Sequence, residues 1–383
     1  MAISKQNLSI VLRMLNKKIH IVSFNVPYPP DYGGIIDIYF KIKALHQAGA
    51  HIRLHCFEYD RPPAPELEKL CDQVHYYPRK MGLRRQLSWL PYIVTSRNHQ
   101  ALLENLLADI APVLFEGLHS CYFLDHPLLA AYPKLVRAHN LEHTYYHSLS
   151  KSENTCRKYY YLIEALRLKY FERKLEEASL ILGISATETD YFQEKYGHSL
   201  HLPAFHPFTR ISSQEGKGDY ILYHGNLSVS ENQQAVSFLL DEVFSEITCS
   251  FVVAGKNPPG WLIAKIKDIP HVTLVENPSI EKMDVLIREA HICLIPTFQS
   301  TGLKLKLLAS LFGGRHCITT PQMLEGTGLN DLCHVAGSAP EMIALINRYL
   351  GKSFMNTEIH QRKEQLDNLY SNEKNAQKIM AVL

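Results

Sequence analysis

The chain has 383 residues, of which 46% are hydrophobic and 20% charged, so it suits two folded domains better than one core or a disordered segment. Its 40 basic and 38 acidic side chains leave a net charge of +2, and no global field selects nucleic acid. No apolar run reaches the roughly 20 residues that cross a bilayer, and the opening MAISKQNLSIVLRMLNKK lacks a signal-peptide cleavage pattern.

The first predicted strand is KIHIVSF, residues 18–24. The loop NVPYPPDYGG and a helix from about Ile35 to Ala48 follow, then a strand at 51–59, which together describe a βαβ unit. In that loop Gly33 and Gly34 either form a tight turn or let backbone amides approach a ligand. The pattern is not GxGxxG, so the dinucleotide fingerprint is absent. Asp37, about one turn into the helix, either contacts a polar ligand or, as the preferred reading, is solvated.

RKMGLRRQLSWLPYIVTSR, residues 79–97, interleaves basic and apolar side chains. It reads either as an ordinary packed loop and helix or as a peripheral contact with an anionic membrane, through Arg79, Arg84, Arg85, Arg97, Leu83, Leu87 and Trp89. Further strands are expected at 74–77, 113–116, 135–139 and 180–184, with helices at 98–109, 155–178 and 186–195. Leu162, Leu166 and Tyr170 share one face of the long helix.

VRAHNLEHTYYHSL, residues 136–149, places Arg137, His139, Asn140, Glu142 and His143 after a strand, where α/β domains build sites. Histidine can donate a hydrogen bond or move a proton near neutral pH, and Arg137 can meet a carboxylate or phosphate bidentately. HNLEH is not HExxH, so no metal is expected. The eight cysteines form no CxxC pair, which favours reduced thiols in the cytoplasm.

Pro, Ser and Gly gather in residues 201–219, and an α/β pattern restarts beyond them. Strands are expected at 220–226, 249–255, 271–276, 291–297 and 315–320, with a helix at 232–243 and another after Gly302. The domains read as residues 1–205, a linker at 206–218, residues 219–355, and a helical tail at 356–383 that returns to the first domain. Gly225 and Asn226 end a strand, as does Lys256. Lys256, Lys304 and Lys306 are placed to converge on a diphosphate, with the amides of Gly302 and Leu303 at a helix start. The architecture expected is α/β, with two Rossmann-like parallel sheets facing across a deep cleft.

PYPPDYGG, RAHNLEH, GNLSVSEN, VVAG and STGLKLKLLASLFGG, in that order, resemble segments of the retaining glycosyltransferases with two Rossmann-like domains, the broad group related to glycogen synthase and bacterial mannosyltransferases. The resemblance spans roughly residues 18–380. It implies the glycosyltransferase-B fold, a nucleotide-diphosphate sugar as donor substrate, no cofactor and no metal. The base would lie near Glu276, and the phosphates near the helix after Gly302. Gly33, Gly34 and His139 would face the reacting sugar. Arg137, Asn140 and Glu142 would orient the segment or touch a saccharide or lipid-linked acceptor. The expected activity is hexosyl transfer in surface-polysaccharide or glycoconjugate synthesis.

Three positions depart from the group. Ala309 stands where many members carry a carboxylate for the ribose, and Asn226 and Asn232 where many carry Arg and Lys. They motivate an alternative, a catalytically weakened relative that binds a glycan or assists assembly. An epimerase of the same design is a third reading.

Overall fold

The computed structural model describes residues 17–153, 155–298 and 304–383. They divide into two compact units, residues 17–207 with 370–383 and residues 208–298 with 304–369.

In the first unit β1 (Lys18–Ser23), β2 (His51–Glu58), β3 (Gln73–Pro78), β4 (Val113–Glu116), β5 (Lys134–Ala138), β6 (Leu180–Gly183) and β7 (Ser199–His201) form one sheet. Its order is β3-β2-β1-β4-β5-β6-β7 and every pairing is parallel. A parallel sheet is covered on both faces, so its strands are continuous apolar runs. β4, VLFE, is buried at all four positions, and there Glu116 is as fully enclosed as Phe115. α1 (Gly33–Gln47) sends Ile35, Ile38, Ile42 and Leu45 into the core, and it buries Asp37 and Lys41 as well.

α2 (Glu142–Ser152) and α3 (Arg157–Phe171) follow β5. The helix expected at 155–178 ends earlier, because Glu172–Glu177 tightens into a 3₁₀ turn. Glu172 there turns inward to His143, Tyr191 and Lys195. The stripe of Leu162, Leu166 and Tyr170 is 37%, 70% and 66% exposed, while α3 buries Glu164, Ala165, Leu168 and Phe171.

The second unit repeats the design. β8 (Ile221–Asn226), β9 (Phe251–Lys256), β10 (Val272–Glu276), β11 (Ile292–Leu294), β12 (His316–Thr319) and β13 (His334–Val335) form a parallel sheet in the order β10-β9-β8-β11-β12-β13. The helix α4 (Ser230–Phe238) runs into a π turn at Leu239–Val243, and α5 (Leu305–Gly313) and α6 (Asn356–Leu369) complete the part that concerns the site. The last helix, α7 (Asn372–Met380), belongs to the first unit, where Ala376 and Ile379 join the core beneath α1. His206 Nε2 lies 2.7 Å from the Tyr370 carbonyl oxygen just before α7. β7 and β13 are too short to leave a pattern in the sequence. Among the described residues no helix is long and apolar enough to cross a membrane.

Candidate functional site

In each sheet the strand order reverses beside the first strand, between β1 and β4 and between β8 and β11. The carboxyl ends of strands at such a reversal are where open α/β sheets bind ligands, because the two connections leave in opposite directions and open a crevice.

Beside the first reversal lies a buried charge cluster of Asp37, Lys41, Glu116, Arg137 and His139. Lys41 Nζ donates to Asp37 at 2.9 Å and to the two Glu116 oxygens at 2.7 and 2.8 Å. Arg137 grips Asp37 bidentately, Nε at 3.1 Å and Nη2 at 3.0 Å, and spends its remaining donors on the carbonyls of Gly183, Leu202 and Pro203. Burial alone would raise the Asp37 carboxyl, but Arg137 and then Lys41 hold it far below the usual range. Glu116, also raised by burial, is brought below its ordinary value by Lys41 and by its hydrogen bond with His139. Asp37 is therefore not solvated, as the sequence suggests, but is the hub joining α1, β5 and the Phe205 amide, which donates to it at 2.8 Å.

His139 Nε2 sits 3.0 Å from Glu116 Oε2, and a carboxylate can only accept, so Nε2 carries the proton. Its Nδ1 is buried without a hydrogen bond, 3.9 Å from Asp37. Asp37, Glu116 and His139 bring three potential ligand atoms within 4.8 Å of one another. The Lys41 ammonium bridges the two carboxylates, so a metal ion there would have to displace a buried cation.

Around His139 the space is tightly specified. The Phe24 ring packs against His119 and His139 with centroids 5.2 and 5.7 Å away. A Cβ on Gly34 would come within 2.9 Å of that ring, which accounts for glycine there, while Gly33 opens α1. Gly117, at φ +70, turns the chain out of β4, and a Cβ on it would lie 3.0 Å from His119 Nδ1. Glu142 is buried, and desolvation drives its carboxyl up to about 8, opposed in part by Asn140 beside it. Glu188 rises to about 7 for the same leading reason.

In the second unit Gly225 and Asn226 end β8, and the strand register sets Asn226 beside Lys256 and Glu276 beside Gly255. Lys256 and Glu276 are exposed. Lys306, on α5, donates to Asn232 Oδ1 at 2.7 Å and lies 5.5 Å from the Tyr223 ring centre. Asn232 in turn donates to the Asn226 carbonyl at 2.8 Å. Burial first, and Lys304 after it, lower the Lys306 ammonium to about 8, although Glu231 works in the other direction. Ala309 is half-buried against the apolar layer of Leu286 and Ile287. The expected phosphate contacts Gly302 and Leu303 lie outside the described residues.

Glu116, Lys41 and His119 do not stand out as site residues in the sequence. For Glu116 a signal exists, a carboxylate ending a fully apolar strand. The 79–97 segment divides: Arg97 is buried and Arg85 binds the Thr95 carbonyl, while Met81, Leu87 and Trp89 are 54%, 82% and 93% exposed.

No family model matches the chain. An uncharacterized 44.6 kDa protein in the cps region of Klebsiella pneumoniae is 29% identical over 333 residues, covering 82% of this chain and 85% of that protein. Among solved structures, TarM is similar with a TM-score of 0.67 at 10% identity, over 95% of this chain and 98% of TarM. HepE from Anabaena, solved with UDP and glucose, gives 0.61 at 11% identity over 95% and 98% of the two chains. WaaG, a glycosyltransferase involved in lipopolysaccharide biosynthesis, gives 0.61 at 12% identity over 95% and 99%. The chain has the glycosyltransferase-B fold. In this chain the fold consists of two parallel Rossmann-like sheets, each with its order reversing beside its first strand. Within the glycosyltransferase-B fold of this chain, the charge cluster belongs to the first unit and Lys306 to the second.

Proposed function

We propose that this protein transfers a hexosyl group from a nucleotide-diphosphate sugar to a saccharide or lipid-linked acceptor, with retention of configuration. The observation that carries the reading is Lys306. It is a half-buried cation held by the neutral Asn232, and among the described residues it makes no ion pair. An ammonium partly removed from water and only partly compensated by the nearby Glu231 is costly, and a ligand diphosphate would repay that cost by pairing with it. Members of the group that the sequence resembles carry a cation where Asn232 stands, and Lys306 brings one to the same spot from α5.

In this reading the sugar C1–phosphate oxygen bond breaks while a bond from the acceptor oxygen to C1 forms on the same face. The hydroxyl proton passes to the leaving phosphate. Lys306, Lys304 and Lys256 stabilise the departing charge together with the Gly302 and Leu303 amides, and Asn226 adds a neutral hydrogen bond. Glu276 lies on the nucleoside side. His139, fixed by Glu116, orients the transferred sugar, and Gly33 and Gly34 face it. Arg137 acts as a positioning residue through Asp37, and Asn140 and Glu142 shape the acceptor side. No metal takes part. The context is glycoconjugate assembly, a setting in which WaaG also works. The protein acts in the cytoplasm, and Leu87 and Trp89 give it a peripheral contact with an anionic membrane.

Calorimetric titration with a panel of nucleotide sugars tests the reading. Micromolar binding of one of them is expected, weakened at least about tenfold by Lys306→Met, the loss of one charge-assisted contact. His139→Gln, which keeps a donor toward Glu116, should retain that binding and lose transfer. If a folded sample binds none of them, donor-dependent transfer is wrong.

Ala309 and Asn226 favour a second reading, a weakened relative that binds a glycan. Donor binding without any transfer, together with tighter nucleotide binding by Ala309→Glu, would favour it.

A further inference from the structure

Arg97 poses a problem of charge. It is only 5% exposed, yet among the described residues neither it nor Arg79 makes an ion pair with a carboxylate. Its Nε donates to the Phe24 carbonyl at 2.8 Å and its Nη1 to the Ile93 carbonyl, and Nη2 makes no hydrogen bond to a described residue. The contrast with other buried guanidinium groups is informative. Arg137 is neutralised by Asp37, and Arg362 uses both terminal nitrogens on the carbonyls of Leu311, Gly314 and Arg315.

A second cation makes the deficit larger. Arg79 is anchored by Ser96 Oγ at 3.0 Å and lies over the Tyr59 and Tyr92 rings at 4.4 and 5.5 Å. Burial, and after it the repulsion of Arg79, lower Arg97 to about 9. Glu142 lies within electrostatic reach of Arg97, but burial pushes its carboxyl up to about 8, which makes it a weak counter-charge near neutrality. Two like charges beside each other, one of them desolvated, are stable only at a cost that an anion would remove.

We propose that Arg97 and Arg79 bind an oxyanion of the acceptor, a carboxylate or a phosphate. The location favours the acceptor over the donor. Arg97 is bound to the carbonyl of Phe24, whose ring touches His139, whereas Lys306 lies in the other unit. A planar guanidinium fork suits the paired oxygens of either group. The acceptor role rests on the glycosyl-transfer reading above; the anion site itself does not.

The test is ligand-observed NMR titration of the full chain with glucuronate, inorganic phosphate and glucose. The phosphate arm uses a Lys306→Met background, so that the donor side does not contribute. The expected result is that an anion binds at least tenfold more tightly than glucose. Arg79→Gln and Arg97→Gln should each weaken it about tenfold without changing nucleotide-sugar affinity in the wild-type background. Preference for glucuronate identifies an acidic sugar, and preference for phosphate a lipid-linked phosphate. Arg79 is half-exposed, so its variant decides the matter if Arg97→Gln does not fold. No preference for either anion over glucose, or anion binding untouched by Arg79→Gln, overturns the proposal. Arginine-dependent anion binding in a protein that takes no nucleotide sugar would keep the anion site and remove its acceptor role.

Discussion

Glu142 offers a quantitative test of how the first unit treats buried charge. Its carboxyl is raised from an ordinary 4.5 to about 8 because burial removes the water that would stabilise the anion. The folded chain therefore holds this proton more tightly than the unfolded chain does. Stability falls as pH rises from about 4.5 and stops falling near pH 8, where the folded carboxyl also ionises. At about 1.4 kcal/mol per pH unit, the penalty is roughly 3 kcal/mol at pH 7 and close to zero at pH 4. Glu142→Gln keeps the shape of the protonated acid and cannot ionise. The variant should match the wild type at pH 4 and exceed it by roughly 3 kcal/mol at pH 7. Urea unfolding followed by circular dichroism at each half pH unit measures the difference, and unchanged denaturant slopes confirm that the same transition is compared. A gap that does not change between pH 4 and pH 8, or one that favours the wild type at high pH, would refute the reasoning.

Lys41→Met should destabilise the first unit by about 3–5 kcal/mol, since it leaves Asp37 and Glu116 buried with one cation fewer, and thermal unfolding of the variant measures it. Glu172 behaves in the opposite sense to Glu142. Burial raises it, but His143, Lys195 and Tyr191 together bring it down to about 2, so its contribution is present above the ordinary 4.5 and is lost as pH falls toward 2. Glu172→Gln should flatten the acid limb of the stability profile, and acid titration by circular dichroism reads it. Lys306, lowered to about 8, should make nucleotide-sugar affinity decline as pH rises through 8, with no such decline in Lys306→Met, and calorimetry between pH 6.5 and 9.5 tests this.

The two-domain α/β architecture is legible in the sequence because parallel strands buried on both faces appear as apolar runs, such as IHIVS and FVVAG. The glycine pair at Gly33 and Gly34 follows β1 and the RAHNLEH segment closes β5 for the same reason: ends of buried strands are punctuated by residues that the core would reject. Periodicity found the stripe of Leu162, Leu166 and Tyr170 on α3 but not its direction, because spacing fixes which residues share a face and not what that face meets. Only the tertiary structure pairs Asp37 with Arg137, 100 residues away, and Lys41 with Glu116, 75 residues away. A charged side chain has the same sequence signature whether it is solvated or enclosed. Its partners, brought together by the strand order of the sheet, decide whether it is a surface charge, a structural anchor or a cation kept for a ligand.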